Sequence, residues 1–116
     1  TTWSPLASGA LTGKYLDGVP DGSRASLKGY EWLRKHMIDS ERGQERMRKV
    51  STYIDIAKDY DLDPIKLAIA WCLLNKNVST VILEASNTMQ LEDNLGSLDY
   101  MNKLENEDLV KSLNSL

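Results

Sequence analysis

The stretch Asp63-Pro64-Ile65-Lys66-Leu67-Ala68-Ile69-Ala70-Trp71-Cys72-Leu73-Leu74, followed after Asn75–Asn77 by Ser79-Thr80-Val81-Ile82-Leu83, decides the fold class. Asp63 is a strong N-cap, and Pro64 suits the first helical position because the amide it removes has no partner there. The residues after it are apolar almost all round, so this helix is predicted to be buried on more than one side, between a sheet and a neighbouring helix. Asn75–Asn77 reads as a turn. The β-branched run Ser79–Leu83 is short and does not alternate, the pattern of a strand buried on both faces in a parallel sheet. Ser86 or Asn87 then caps a helix through about Leu95, with Gln90 three residues after Asn87 in the capping-box position. Gly96 is expected to close it in a left-handed cap. Helix, doubly buried strand and helix in succession mean an α/β fold with parallel pairing. One or two strands cannot cover themselves, so these residues read as part of a larger barrel or open sheet.

Working outward, a short helical turn is predicted over Tyr30 to Met37 and a longer helix from about Glu41, capped by Asp39 or Ser40. Its inward face is Met47, Val50, Ile54 and Ala57, and Asp59-Tyr60-Asp61 closes it. Gly43 falls in its first turn, where glycine costs little. A last amphipathic helix from about Glu105 carries Leu109, Leu113 and Leu116 on one face. Residues 1–30 hold five of the seven glycines and two of the three prolines, and read as a long loop. Loops of that length in compact domains usually bind something. Trp3 reads as the end of a strand.

The 116 residues and their 41% hydrophobic and 27% charged content describe one ordinary globular unit rather than two domains or a disordered chain. No apolar run reaches a membrane span, and Thr1-Thr2-Trp3-Ser4-Pro5 does not open like a secretion signal. A single cysteine and a single histidine argue against a zinc site and fit a reducing, cytosolic setting. The net charge of −3 argues against nonspecific nucleic-acid binding. The charge is unevenly placed: residues 24–49 carry eight Lys/Arg against four Asp/Glu, and residues 84–111 two against seven. Two readings remain open, solvated helix faces or a basic surface that meets phosphate or a partner.

Gly9-Ala10-Leu11-Thr12-Gly13-Lys14-Tyr15 superficially suggests a phosphate loop. It has three residues between its glycines where four are needed, and Tyr15 where a Ser or Thr should hold magnesium. No GxGxxG fingerprint is present. Lys14 and Arg24 nevertheless place two cations in a glycine-rich segment that is able to fold over a phosphate; the alternative is surface charge. Ser86-Asn87 opens a helix directly after a strand, where ligands bind in α/β folds and anions are attracted. Gln90, Asp93 and Asn94 follow on its first turns, and plain capping is the alternative there. His36 reads as a surface residue, Cys72 as a buried core thiol and Trp71 as core. No carboxylate pair has the placement of a general acid and base.

Several of these segments together resemble the C-terminal half of aldo-keto reductases, and most closely the branch of voltage-gated potassium channel β-subunits. The stretches that carry the likeness are Trp3-Ser4-Pro5-Leu6-Ala7-Ser8-Gly9, Gly13-Lys14-Tyr15, Ser23-Arg24-Ala25-Ser26-Leu27-Lys28-Gly29-Tyr30, Leu67–Leu73, and Ala85-Ser86-Asn87 through Gln90-Leu91 to Asn94. It covers nearly the whole chain and weakens after about Leu98. The resemblance implies that residues 1–116 are a helix-rich C-terminal portion of a (β/α)8 barrel that holds NADP(H) in an extended pose without a GxGxxG motif. A complete barrel takes about 250 residues, so this portion would start near the sixth or seventh strand. By the same likeness, Trp3, Ser4, Pro5, Leu6, Ala7 and Ser8 would line the nicotinamide and pyrophosphate, and Lys14 and Arg24 would meet cofactor phosphates. Ser86 and Gln90 would hold the adenosine 2′-phosphate end, and Asp93 and Asn94 the adenine.

The implied parent reduces aldehydes or ketones with NADPH. It also regulates, as a homo-tetramer, a voltage-gated potassium channel α-subunit through the channel's cytoplasmic domain. It would be cytoplasmic, peripheral at the plasma membrane through the channel, with no insertion of its own and no nucleic-acid partner. The family's catalytic Tyr, Asp, Lys and His belong to the N-terminal half, and no residue here is assigned to them. Two positions depart from the pattern. Glu84 stands where the family usually has glycine, placing a carboxylate beside a phosphate site, and Asp93 replaces the commoner Glu. Alternative readings are a redox-inactive regulatory interaction module and a plain NADPH-dependent oxidoreductase without a channel partner.

Overall fold

The computed structural model describes all residues from Thr1 to Leu116. Five α-helices carry the chain: α1 (Glu31–Arg34), α2 (Glu41–Asp59), α3 (Pro64–Leu74), α4 (Thr88–Leu95) and α5 (Glu107–Asn114). Their starts follow from local chemistry. Ser40 Oγ accepts from the Gly43 amide at the head of α2. Asp63 Oδ1 accepts from Ile65 and Lys66 at the head of α3. Asn87 Oδ1 accepts from Gln90 in α4, and Asn106 Oδ1 from Asp108 and Leu109 in α5. Each cap satisfies amides that the helix itself leaves unpaired and contributes about 1 kcal/mol.

Two apolar clusters share helix α2. One gathers Tyr53 and Ala57 of α2 with Leu67 and Ala70 of α3 and Leu109 and Leu113 of α5. The other sets Val50 of α2 against Ala10, Tyr15, Ala25 and Leu33 from the opening third of the chain. Met47 and Ile54 complete the expected inward face of α2 as half-buried residues, and Tyr53 joins it fully buried. The Tyr53 hydroxyl donates to the Pro64 carbonyl at 2.6 Å, and the Asp63 amide donates to the Tyr100 hydroxyl at 3.0 Å. Two polar bonds thus pin the start of α3 from opposite neighbours.

The structure corrects four expectations. Ser79–Leu83 does not form an extended strand. It pairs through a single parallel bridge, Thr2 with Val81, using Thr2 N–H to Thr80 O and Ile82 N–H to Thr2 O, both 2.9 Å. The parallel sense is the expected one, but burial on both faces is not: Ile82 is exposed. The ladder stops because Ser4 adopts a left-handed φ of 55° and Pro5 follows, turning the opening chain away from its partner. No barrel is formed among these residues. Trp3, next to the bridge, projects into solvent.

The opening segment, second, is not plain loop: 3₁₀ turns cover Ala7–Thr12 and Arg24–Ser26. Third, Gly96 is right-handed (φ −59°), and the chain runs on into a 3₁₀ turn over Gly96–Tyr100. The Lys66 side chain crosses this glycine, and an added Cβ would lie 3.1 Å from Lys66 Cε, a contact that a small shift of the lysine relieves. Gly43 has a packing reason, since a Cβ would meet the backbone of Met37 and Ile38 at under 3 Å. Fourth, Cys72 and Trp71 are half-buried rather than core. The last helix starts at Glu107, two residues later than expected, with Leu109 and Leu113 buried.

Candidate functional site

Lys14 and Arg24, ten residues apart, are connected through one buried side chain. Tyr15 is 3% exposed. The Lys14 ammonium lies over its ring, 5.2 Å from the centroid. Its hydroxyl accepts from the Ala25 amide, one residue after Arg24, at 3.4 Å. Lys14 also covers Gly9, where an added Cβ would stand 2.7 Å from Lys14 Cε and Nζ. The glycine at position 9 therefore leaves room for the ammonium stem, and its left-handed φ of 91° is one that other residues adopt only under strain.

From Arg24 the cluster crosses to the other end of the chain. One guanidinium nitrogen of Arg24 donates to Glu84 Oε2 at 2.9 Å. Hydrogen bonding to Glu84, and the charge of that carboxylate, hold the guanidinium above its usual pKa. The Glu84 carbonyl in turn accepts from the Asn94 amide at 3.4 Å. Asn94 is only 7% exposed, so α4 is anchored on the end of the bridged segment by a side chain facing inward. Two residues beyond Glu84, the Ser86 amide donates to Gln90 Oε1 at 2.8 Å, and Asn87 caps the helix. Gln90 thus closes the turn as a capping residue, reaching one residue past the N-cap. Lys66 reaches the far side of this helix, with its ammonium 3.9 Å from Asp93 Oδ1.

The six residues from Trp3 to Ser8 reach the cluster differently. Ser4, Ala7 and Ser8 all have left-handed φ values of 49–57°. For non-glycine residues such conformations cost of order 1–3 kcal/mol each, and they concentrate in segments that clamp ligands. The Ala7 amide donates to Ser4 O, the Gly9 amide to Leu6 O, and the Ser8 amide to Ser4 Oγ, holding the turn. Pro5 and Ala7 form part of the wall of an apolar cavity of about 360 Å³ that also takes in Trp71 and Cys72. Leu6 packs against the larger core, while Trp3 stands 79% exposed. The turn meets the charged cluster through Gly9 and Lys14 rather than through its own side chains. Burial raises the pKa of the Cys72 thiol, so at neutral pH it stays protonated and adds no charge to this cavity.

Taken together, the structure joins Lys14, Arg24, Glu84, Asn94 and the Ser86–Gln90 turn into one run of contacts. Asp93 attaches to it through Lys66, and Trp3 stands away from it. The sequence reading missed three members. Tyr15 and Lys66 carry no sequence signal of their role, since both depend on the path of distant segments. Glu84 was visible as a departure, but its pairing with Arg24, 60 positions away, was not. The donor set suits a phosphorylated nucleotide in kind: a guanidinium and an ammonium linked through the buried Tyr15, next to a polar helix start. Ser23 Oγ, beside Arg24, is shielded and has no partner in the chain, so the hydrogen bonding of this turn is incomplete. The Glu84 carboxylate, bonded to Arg24, opposes a phosphate there.

No helix is long and apolar enough to cross a membrane. The family model described as the aldo/keto reductase family matches residues 1–114, all but the last two positions.

Proposed function

The chain belongs to the aldo/keto reductase family, and from that membership we propose that it forms the dinucleotide-binding C-terminal portion of a (β/α)8 reductase, with NADP(H) as the cofactor. The observation that carries this reading is the contact between Arg24 and Glu84. It brings the cationic opening segment against the polar start of α4, the two regions that a single nucleotide phosphate end would need side by side. In this reading Lys14 and Arg24 neutralise phosphate, Ser86 and Gln90 shape the 2′-phosphate end, and Asp93 and Asn94 border the adenine. Trp3 to Ser8 form a turned strap along the nicotinamide and pyrophosphate. The cofactor, when bound, supplies the hydride that reduces an aldehyde or ketone. This chain's residues bind and orient it, and none of them is placed to give the carbonyl its proton.

Titration of the chain with NADPH, followed by the change in nicotinamide fluorescence, tests the reading. Saturable binding in the micromolar range supports it, and no saturable binding refutes it. The chain alone is expected to show no NADPH-dependent loss of an aldehyde above a protein-free blank. We further propose, from the likeness of Ser23-Arg24-Ala25-Ser26-Leu27-Lys28-Gly29-Tyr30, that the full parent assembles as a tetramer on the cytoplasmic domain of a voltage-gated potassium channel and alters its gating. Pull-down with such a domain separates this from a plain reductase. A redox-inactive interaction module is the second reading. It is favoured by Glu84, which already satisfies Arg24, and predicts channel-domain capture with no response to NADPH.

A further inference from the structure

We propose that Glu84 determines the cofactor preference of this chain by competing with the 2′-phosphate for Arg24, so that NADP(H) has little advantage over NAD(H). The inference rests on the dinucleotide site proposed above and concerns its adenosine end.

A guanidinium presents a planar fork that matches either a carboxylate or a phosphate. In this chain a guanidinium nitrogen of Arg24 is engaged by the Glu84 carboxylate at 2.9 Å. Glu84 lies two residues before Ser86 and is fixed through its backbone by buried Asn94. The residue is therefore anchored by its backbone at the helix start that would receive the adenosine, and its exposed carboxylate is held there by Arg24 alone. Two consequences follow for a ligand there. A 2′-phosphate has to displace Glu84 from that nitrogen or share Arg24 through its remaining N–H groups, and either way it sits beside a carboxylate of its own sign. A ribose bearing a free 2′-hydroxyl does neither, because that hydroxyl donates to a carboxylate; acidic side chains at nucleotide sites select the unphosphorylated ribose in this way.

Magnitude keeps the effect modest. The side chains of Arg24 and Glu84 are 42% and 77% exposed, and exposed ion pairs of this kind are weak enough for a phosphate to break. Glu84 thus lowers discrimination without closing the site. Lys66 does not take over the role, since its ammonium stands toward Asp93.

The test measures dissociation constants of NADP+ and NAD+ by calorimetry for the wild-type chain, Glu84→Gln and Glu84→Gly, with Arg24→Met and the double variant Arg24→Met/Glu84→Gln completing a cycle. Wild type is expected to bind the two dinucleotides within roughly threefold of each other. Removing the carboxylate should strengthen NADP+ binding about fivefold and leave NAD+ unchanged or weaker. In the Arg24→Met background the same change should lose most of its effect on NADP+. If both dinucleotides bind and neither Glu84 variant alters their ratio, the competition is overturned while the dinucleotide site stands. If none of the variants binds either dinucleotide, the site itself is refuted, and the preference with it.

Discussion

The two ends of helix α3 behave as different materials. At its N-terminal end Asp63 caps the helix, Tyr53 and Tyr100 bond to its first residues, and Leu67 is wholly enclosed. Beyond its C-terminal end the chain passes through Asn75–Asn77 into a segment held by one parallel bridge, with Ile82 and then Met89 and Leu95 of α4 exposed. One region is stabilised by apolar surface removed from water, of order 2–3 kcal/mol for each large side chain. The other is held by individual polar contacts, chiefly Arg24 to Glu84, Asn94 to Glu84 and the Asn87–Gln90 cap, each worth about 1 kcal/mol or less. The difference separates roles: the enclosed end fixes the platform, and the loosely held end leaves its charges free to exchange partners.

The sharpest break in that comparison is Leu67→Ala. Leu67 is fully buried, and its truncation should cost about 3 kcal/mol through lost burial and a residual cavity. Thermal unfolding by circular dichroism should move down strongly. The dinucleotide affinity of the fraction that remains folded should not change. Arg24→Met asks the converse question. It should leave the melting temperature within about the effect of a surface substitution, under 0.5 kcal/mol, while weakening NADP+ binding roughly tenfold through loss of a charge-assisted contact. A large fall in stability there would mean that the loosely held end supports the fold after all.

Tyr53→Phe gives the smallest and most specific effect. It removes the bond to Pro64 O at a cost of about 1 kcal/mol. Burial, with the nearby Asp63 and Cys72 charges adding to it, pushes the Tyr53 hydroxyl above its ordinary pKa. The folded state therefore holds this proton more tightly than the unfolded chain does. Its contribution is complete below about pH 10, the unfolded value, and is lost as the pH rises beyond it. Urea unfolding at several alkaline pH values should show that decline in wild type and a flatter one in Tyr53→Phe.

How much of this was legible in the sequence differs between the same two regions. Helix α3 and its cap were readable because Asp63-Pro64 and the apolar run act over a few residues. The starts of α2 and α4 were readable for the same local reason. Ser79–Leu83 carries the composition of a buried strand, yet composition does not supply neighbours, and within this chain only Thr2 pairs with it. Gly96 does not take the left-handed cap its position suggests, because the chain continues right-handed into the 3₁₀ turn over Gly96–Tyr100 instead of ending. Within the candidate site, Lys14, Arg24 and the Ser86–Gln90 turn stood out by type and position. Their connection through Tyr15 and Glu84 did not, since it depends on where a segment 60 residues away comes to lie.

Amide chemical shifts of the labelled chain, recorded as NADP+ is added, test the central claim most directly. Shifts that move together, with one saturation curve, at Lys14 and Arg24 and at Ser86, Gln90 and Asn94, with α5 unmoved, are the predicted result. Movement confined to one of the two regions, or saturating at different concentrations in each, would contradict a single nucleotide held between them.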